Sequence, residues 1–445
     1  MSAQPAAMAS LMGVSTRPLP LGRPAAATEE LSPQVGEEPR GLLLRGALVP
    51  RSGPADASRP VHDDLAMHLR RVGPLPRVTA ELLVRVEETG LTGHGGAHVP
   101  VAVKWRSARR GTGPLTVVAN GAESEPLSAK DATLLRQRPH LVLDGLLATA
   151  SLLGAVRAVV WLHGDDHRTA AAIETAIGER WSAGLPGRVD VVVGPSHYLA
   201  GESSAIAQAL HGGPALPTVR RPGSTTTGRT LVHNVETLAR VALLARGHDP
   251  VPTVLLTVLT DVGRQVLEVG TRTPLVDVLG LVDPHATAPQ AVLLGGYGGT
   301  WVSGHTAARL TVDEADLRRE GLSIGAGVVV PLGPEACGLS ETAAVAHYLA
   351  SMSARQCGPC LFGLPAIAET VTALADGRAS RRDLARLRQD LAAVTGRGAC
   401  HHPDGATRLV ASALEVFAAD VDGHGRRRPC AAARFARLPL PPVLR

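Results

Sequence analysis

Short apolar runs alternate with helical patterns along the middle of the chain, and this alternation limits the fold more than any other feature of the sequence. Apolar runs of strand length lie at residues 115–119, 158–162 and 189–193, and a helical pattern at 169–185 separates the last two. Strands that alternate with helices are typical of a domain in which helices cover a largely parallel sheet. We therefore predict an α/β domain over residues 61–245.

The pattern changes twice after this domain. Residues 251–305 contain brief β-rich runs around one short helical segment, which predicts a small α+β domain over residues 246–310. Helical periodicity dominates from residue 341, so we predict a bundle of about four helices within residues 311–420. The chain is thus expected to be an α/β and α+β multidomain protein.

Both ends of the chain are poor in core-forming patterns. Pro, Ala, Ser and Gly are frequent in residues 1–60, and residues 421–445 are basic and rich in Pro. We expect both segments to be disordered, apart from a short strand at residues 41–48. Residues 1–14 lack the basic start and the continuous apolar core of a secretion signal.

Composition and charge exclude several classes of protein. A net charge of +5 over 445 residues is too small a surplus to suggest a nucleic-acid partner. The most apolar helical stretch, residues 141–162, is interrupted by Asp144 and Arg157 and falls short of the roughly 20 apolar residues that a membrane span needs. Five cysteines, an odd number, do not suggest a disulfide framework. We therefore expect a cytoplasmic protein without direct membrane insertion.

A glycine-rich loop precedes the first predicted strand. The sequence GLTGHGGAHVP at residues 90–100 has four glycines within seven positions, and Lys104 follows it. Such a loop lets backbone N–H groups approach an anion, and a lysine can add a point charge to a phosphate. Only Lys104 and Lys130 are lysines among the 45 basic residues, and an ammonium is not interchangeable with the wide guanidinium of arginine. On its own, such a loop is more often a structural turn.

Three further motifs follow the glycine loop in order. They are NGAESEP at residues 120–126 with Lys130-Asp131 after it, YLAGESSA at 198–205, and VHNVETLA at 232–239. The series resembles the flavin-bearing, NADH-oxidising 51 kDa (F) subunit of respiratory complex I and its relatives in NAD-linked hydrogenases and formate dehydrogenases. In that family the corresponding stretches read GRGGAGFPTGxKW, NADEGEPGTFKD, YxxGEETA and NNVETLA.

The resemblance implies a Rossmann-like domain that binds FMN and NADH. Residues that match the loop around the FMN phosphate and ribityl chain are Gly93, Gly95, Gly96 and Lys104. Residues that match the surroundings of the flavin and the nicotinamide nucleotide are Asn120, Glu123, Glu125, Gly201, Glu202 and Asn234. Carboxylates there can accept hydrogen bonds from ribose hydroxyls and the carboxamide. The alternative is that these acids are solvated loop charges, and that Glu236 simply begins a helix.

The chain also departs from the family pattern. His94, His98 and Val99 stand where the family has Arg, Gly and Phe, Ala122 replaces an Asp, and Ser203 replaces the second Glu of GEE. Loss of the Phe removes a ring that could pack on the adenine of the nucleotide. A flavin pocket is compatible with these changes, whereas they weaken the case for tight NADH binding.

Residues 251–305, with GGYGG at 295–299, resemble the β-grasp (SLBB) domain that follows the flavin domain in this family. The turn GGYGG matches the GGxSGG turn of the family. We interpret its glycines as tight turns that bind no ligand, and we expect the module to pack between the other two parts.

Cys357, Cys360 and Cys400 form the sharpest chemical signal, because a CxxC pair and a third, distant cysteine can close an iron–sulfur or zinc site. In the family, SCGxCxPC and a later cysteine hold a [4Fe–4S] cluster. Ala354 occupies the place of the first cysteine, so one ligand is missing. Candidates for a fourth ligand are His401, His402, Ser353, Cys337 and Cys430.

Two other interpretations of the cysteines stay open. A zinc site of three cysteines with His401 or His402 is the first. In the second, the cluster has been lost, and the thiols are buried side chains or a redox pair.

The resemblance implies a function as an NADH dehydrogenase-type flavoprotein. It would pass electrons from NADH through FMN to the cluster and then to a ferredoxin-like or membrane-associated redox partner, which would place it in the cytoplasm or at the periphery of a membrane redox complex. Hydride transfer needs no acid–base group, so we name binding residues and no catalytic residue. The alternatives are a degenerate scaffold without NADH oxidation and a flavin electron carrier with another donor.

Overall fold

The computed structural model describes residues 33–35, 43–44, 62–219, 229–261, 263–434 and 436–441. Within them the chain forms a parallel α/β region, a mixed β-sheet and a helical region. In the part of the chain that is described, no helix is both long enough and apolar enough to cross a bilayer.

A parallel sheet and its helices form the first part of the described chain. An edge strand and three helices come before this sheet: β1 (Pro33–Val35), α1 (Leu65–Val72), α2 (Glu81–Glu88) and α3 (Val101–Arg110). The sheet and its helices follow: β2 (Thr116–Gly121), α4 (Lys130–Gln137), α5 (Pro139–Leu153), β3 (Arg157–Leu162), α6 (His167–Ser182), β4 (Asp190–Val193), α7 (Ser203–Leu210), β5 (Thr230–Asn234) and α8 (Val235–Ala245). The strand order is β4-β3-β2-β5, and all neighbouring strands are parallel. The α/β fold predicted from the alternation is confirmed, whereas the domain bounds stay a prediction.

Helices cover both faces of this sheet, which explains why its central strands are apolar throughout. Residues 117–119 of β2 and 159–162 of β3 are fully buried, as expected for a parallel sheet between two helical layers. Helix α5 packs directly on α8 and is buried along most of its length.

The second sheet is mixed. Its elements after α8 are β6 (Thr253–Thr260), β7 (Gly263–Gly270), α9 (Leu275–Val282), β8 (Ala291–Leu294), β9 (Thr300–Ser303), α10 (Gly304–Ala307), α11 (Glu314–Arg319) and β10 (Val328–Leu332). With β1 at one edge, the strand order is β1-β7-β6-β10-β8-β9. Strand β10 pairs parallel with β6 and antiparallel with β8. The predicted boundary at residue 310 cuts this sheet and is wrong, because a five-residue strand after a glycine turn carries little periodicity.

Part of the N-terminal segment belongs to this sheet. Strand β1 pairs parallel with β7, and the backbone N–H groups of Leu43 and Leu44 donate to the buried Glu268 carboxylate at 3.3 and 2.8 Å. The expectation of disorder is therefore wrong for these residues. Leu43 and Leu44 form a bend rather than a strand, and the rest of the predicted strand at 41–48 lies outside the described residues.

Helices dominate the last part of the chain, as predicted. They are α12 (Gly338–Ser351), α13 (Leu364–Ala375), α14 (Arg381–Val394), α15 (His402–Val416) and α16 (Ala418–Gly425), with a π-helical turn at Pro359–Gly363. The predicted disorder from residue 421 is wrong for the described tail. The backbone N–H groups of Arg437 and Leu438 donate to the Glu341 carboxylate at 2.7 and 3.0 Å, a contact that basic, Pro-rich composition does not reveal.

The close packing of α5 on α8 gives a first prediction. A Cβ added at Gly145 would lie 1.8 Å from the backbone oxygen of Leu238, whereas a Cβ added at Gly178 of α6 would meet nothing within 4 Å. We expect Gly145→Ala to lower the free energy of unfolding by about 1–3 kcal/mol through overpacking. The matched Gly178→Ala should raise it by roughly 0.5–1 kcal/mol through helix propensity. Urea unfolding followed by circular dichroism measures both, and equal effects would contradict this account of the α5–α8 contact.

Candidate functional site

The carboxyl ends of β2 and β5 define a crevice in the parallel sheet. The chain leaves β2 toward β3 on one side and later returns to β5 on the other, so this is the point where the strand order reverses. Open α/β sheets bind ligands at such a point. Asn120 of β2 is paired in register with Asn234 of β5, and these two residues mark the crevice.

All four sequence motifs meet at this crevice. A Cβ added at Gly95 of the glycine loop would lie 3.4 Å from the Asn234 Cβ. The Asn120 side chain donates to the backbone oxygen of Gly201 at 2.8 Å. A Cβ added at Gly201 would lie 2.7 Å from the Ala122 oxygen, so the close approach of these two loops requires glycine.

The glycine loop closes on itself and leads into α3. The Gly93 N–H donates to the Val99 oxygen at 2.9 Å. Gly96 has φ +89°, and His98, which stands where the family has Gly, has φ +47°, a region that favours glycine. The first N–H of α3, that of Val101, donates to the Leu91 oxygen at 2.9 Å. No side chain caps the helix start, so the N–H groups of Ala102 and Val103 are the ones that an anion could use.

Lys104 lies on α3 next to this crevice. Its Nζ donates to the Val232 oxygen at 3.0 Å, and burial lowers the pKa of the lysine. No carboxylate among the described residues forms an ion pair with it. Lys104 is half-buried. A partly desolvated ammonium without a counter-ion is unfavourable, and a bound phosphate would supply the missing charge. Lys104 and the glycine loop therefore fit the phosphate of FMN.

Lys130 has a different role, because it is already paired. Its Nζ lies 2.9 Å from Asp131 Oδ1 and 3.1 Å from Glu236 Oε2, and Arg240 lies 2.8 Å from the other Glu236 oxygen. Burial alone would lower the pKa of Lys130, but these carboxylates raise it. Burial opposes ionisation of Glu236 as well, yet His94, Lys130 and Arg240 lower its pKa to about 2.

Glu236 thus begins a helix, as the alternative interpretation held, but as part of a buried ion network. His94 lies at the edge of this network, with its Nε2 3.7 Å from Glu236 Oε1. Burial lowers the pKa of His94 to about 3. A neutral imidazole therefore stands where the family has a charged guanidinium.

Three of the predicted nucleotide-contacting residues hold the starts of helices. Glu123 accepts hydrogen bonds from the first N–H groups of α4 at 3.1 and 3.0 Å. Glu202 accepts two from the start of α7 at 2.8 and 3.1 Å. Asn234 accepts one from the start of α8 at 2.9 Å. These side chains are not solvated loop charges, and they orient three helix N-termini around the crevice.

Glu125 is held by two tyrosines that the sequence analysis did not single out. Its Oε2 accepts hydrogen bonds from the Tyr198 hydroxyl and the Tyr297 backbone N–H, both at 3.0 Å. Burial raises the pKa of Glu125 to about 7. A Cβ added at Gly296 would lie 2.4 Å from the Glu125 Cδ. The glycine turn at 295–299 therefore lets the mixed sheet pack against the loop at residues 120–126.

Cys357, Cys360 and Cys400 come together beside the end of α12. Burial and then the neighbouring Cys357 raise the pKa of Cys360 to about 12, and Cys400 adds to this rise. Burial also raises the pKa of Cys400. Three buried or half-buried sulfurs that lie together fit a thiolate-binding metal or cluster.

The structure separates the candidates for a fourth ligand. Ser353 is buried, and its Oγ forms no well-aligned hydrogen bond within the described residues, yet it lies close enough to the Cys360 sulfur to favour the thiolate. His402 Nε2 is engaged by the Leu349 oxygen at 2.8 Å, and His401 is largely exposed.

Cys337 and Cys430 are wrong as candidates. Cys337 precedes α12 and Ser353 follows it, and a helix of 14 residues separates its two ends by about 21 Å. Cys430 lies beside Cys337 rather than beside Cys360.

Two family models match the chain. The Nuo51 FMN-binding domain matches residues 86–243, and the NADH-ubiquinone oxidoreductase-F iron-sulfur binding region matches residues 340–424. The first range contains the four motifs at the crevice, and the second contains the three thiols.

Comparison with known proteins agrees with these matches. The F 2 subunit of NADH-quinone oxidoreductase in Rhizobium meliloti (strain 1021) is 27% identical over 382 residues, which cover 79% of this chain and 90% of that protein. The corresponding F subunit in Escherichia coli (strain K12) is 28% identical over 372 residues, 76% of this chain and 82% of that protein.

A solved structure of an NAD+-reducing [NiFe]-hydrogenase in the H2-reduced state superposes with a TM-score of 0.69 at 27% identity. The match covers 80% of this chain and 64% of the hydrogenase chain, so this chain spans less than two thirds of that relative.

The fold and the two sites define a flavin- and iron–sulfur-binding oxidoreductase of NADH dehydrogenase type. The chain belongs to the 51 kDa flavoprotein family, which includes the F subunits of NADH-quinone oxidoreductases. The predicted family and the predicted cofactors, FMN and a [4Fe–4S] cluster, are confirmed.

The position of Ser353 gives a prediction for the cluster. Ser353→Ala should lower the iron content after anaerobic reconstitution, because it removes a buried hydroxyl that lies beside the Cys360 sulfur. Ala354→Cys should raise it, because a fourth thiolate replaces a methyl group. Ser351→Ala is the matched control, since it removes a hydroxyl that bonds only to the Tyr348 oxygen, at 2.7 Å. Iron content and electron paramagnetic resonance check this, and equal iron in the Ser353→Ala and Ser351→Ala variants would contradict it.

Proposed function

We propose that this chain passes electrons from NADH through FMN and a [4Fe–4S] cluster to a redox partner outside the chain. The observation that supports this most strongly is Lys104, a half-buried cation without a carboxylate partner in the described structure, next to a glycine loop at the switch point of the sheet. Such a constellation suits an anionic cofactor better than a structural turn does.

Each residue of the crevice then has a physical task. Gly93, Gly95 and Gly96 allow the backbone to approach the phosphate and ribityl chain, and Lys104 neutralises the phosphate charge. The residues that would surround the isoalloxazine and the nucleotide are Asn120, Glu123, Glu125, Gly201, Glu202 and Asn234, with Gly201 contributing its backbone. FMN, when bound, supplies the redox chemistry, since it accepts a hydride from NADH and releases electrons singly.

Cys357, Cys360 and Cys400 would hold the cluster, with Ser353 as the fourth donor. The cluster site lies close to the surface, because Leu361 and Phe362, directly after Cys360, are 38% and 72% exposed. A ferredoxin-like or membrane-associated acceptor can therefore approach it. We also propose that the three regions act as an FMN/NADH-binding domain, an SLBB-like domain and an iron–sulfur-binding helical bundle.

A flavin electron carrier with a donor other than NADH is the second candidate. It is favoured by the changes at Val99, Ala122 and Ser203, which remove an aromatic ring and two carboxylates relative to the family. Val99 and Ala122 lie in loops, and Ser203 is the first residue of α7. The Glu202 carboxylate already accepts hydrogen bonds from two backbone N–H groups at the start of α7. A scaffold without cofactors is disfavoured, because Lys104 and the three thiols are retained.

An NADH titration distinguishes these functions. The chain is reconstituted anaerobically with FMN, iron and sulfide, and its flavin absorbance is followed. We expect NADH to bleach the flavin band. If dithionite bleaches it and NADH does not, the carrier function holds instead. The Val99→Phe and Ser203→Glu variants should then restore the response to NADH, because they return the ring and the carboxylate that the family has.

Lys104 gives a prediction that does not depend on turnover. Lys104→Met should weaken FMN binding by about 10- to 100-fold, as expected for the loss of a charged hydrogen bond. It should leave riboflavin binding unchanged, because riboflavin has no phosphate. Arg110→Met, a charge loss at the exposed end of the same helix, is the control. Fluorescence titration with both flavins measures this, and equal losses for FMN and riboflavin would show that Lys104 does not contact the phosphate.

A further inference from the structure

A second group of metal-binding side chains lies away from the cluster site. A sulfur of Cys337, a ring nitrogen of His424 and a sulfur of Cys430 all lie within 4.8 Å of one another. Cys337 is the residue before α12, His424 lies in the last turn of α16, and Cys430 belongs to the tail. Three separate segments therefore bring one donor each to the same point.

The histidine of this group is oriented for coordination. Its Nδ1 bonds to the Ala375 oxygen at 2.9 Å, which places the ring proton on that nitrogen. Its Nε2 carries the lone pair, which accepts the Cys430 backbone N–H at 3.0 Å, and a metal ion would take this lone pair in place of that N–H. A ring N–H anchored on a backbone carbonyl is the usual arrangement of a metal-ligating histidine.

We propose that Cys337, His424 and Cys430 bind a zinc ion that fixes the C-terminal tail to the start of α12. Two thiolates and one imidazole are a donor set that zinc prefers. Tetrahedral zinc places two sulfurs about 3.8 Å apart, so the observed separations need little adjustment. Cys337 and His424 are buried, whereas Cys430 is partly exposed, and a water molecule can complete the coordination from that side.

A disulfide between Cys337 and Cys430 is the competing use of the same sulfurs. It would need an oxidant, and it would not use the His424 ring. Zinc binding uses all three donors: the two thiol protons go to solvent, and the Cys430 backbone N–H gives up its hydrogen bond to His424 Nε2.

The proposed zinc ion would hold the C-terminal tail against the start of α12. Beyond Cys430, the backbone oxygen of Ala433 accepts the Ser340 hydroxyl at 2.8 Å, and the oxygen of Pro439 accepts the Tyr297 hydroxyl at 2.5 Å. The backbone N–H of Tyr297 in turn donates to Glu125 in the loop at residues 120–126. The tail thus contacts Tyr297, which supports the proposed flavin site through Glu125. Loss of zinc should release the tail without removing a flavin contact.

The test measures zinc and iron together in the full chain. The protein is purified anaerobically with both metals supplied and is analysed by elemental mass spectrometry. We expect about one zinc ion per chain. Zinc should be lost in Cys337→Ala, His424→Gln and Cys430→Ala while iron is unchanged, and Cys400→Ala should lose iron and keep zinc. Cobalt in place of zinc should give a thiolate-to-cobalt absorption band that the first three variants lack.

Three outcomes would overturn the proposal. The first is a chain that takes up no zinc; the second is a Cys337–Cys430 disulfide in peptides prepared without reductant. The third is zinc that persists in Cys337→Ala and disappears in Cys400→Ala, which would place it on the cluster thiols. Cys430→Ala, on the partly exposed tail, keeps the test valid if the buried variants fail to fold. In that variant and in chelator-treated protein, limited proteolysis should cut the tail faster at residues 430–439.

Discussion

The pairing of β2 with β5 at their carboxyl ends is the constraint on which the rest of the site depends. This pairing places Asn120 beside Asn234. The Asn120 side chain donates to the Gly201 backbone oxygen, and the Asn234 side chain donates to the Asp131 carboxylate at 2.6 Å. Three helices begin at the same edge, and their capping side chains are the family's polar motif residues. Motif positions far apart in the chain therefore become one surface through a single strand register.

The two lysines at this surface differ in whether the protein itself balances their charge. Lys130 is enclosed by Asp131 and Glu236, so its charge is balanced within the protein. Among the described residues, Lys104 has a carbonyl oxygen as its partner and no carboxylate, so its charge is left for a ligand. Only these two of the 45 basic residues are lysines, and at both sites the cation is a compact ammonium rather than a wide guanidinium.

The sequence was sufficient for the α/β domain and for the residues at the crevice, because strand periodicity and ordered motifs are local properties. It was not sufficient for β10, whose five residues join the second sheet only through partners from β6 and β8. Tyr198 and Tyr297 were missed for the same reason, since their partner Glu125 is distant along the chain. The described tail was assigned to disorder on composition, yet a buried acid and a tyrosine hold it by its backbone.

The cysteines follow the geometry of α12. A rigid helix separates two thiol groups by about 21 Å, with Cys357, Cys360 and Cys400 beyond one end and Cys337 with Cys430 at the other. The first group has Ala354 where the family has a cysteine, and its neighbour His402 is engaged by the Leu349 oxygen. The second group includes the His424 ring. This distance excludes an exchange of ligands between the two groups. Any further ligand for the thiols of one group must therefore come from residues beside that group. The buried Ser353 hydroxyl and the oriented His424 ring are the local donors that make this chemically reasonable.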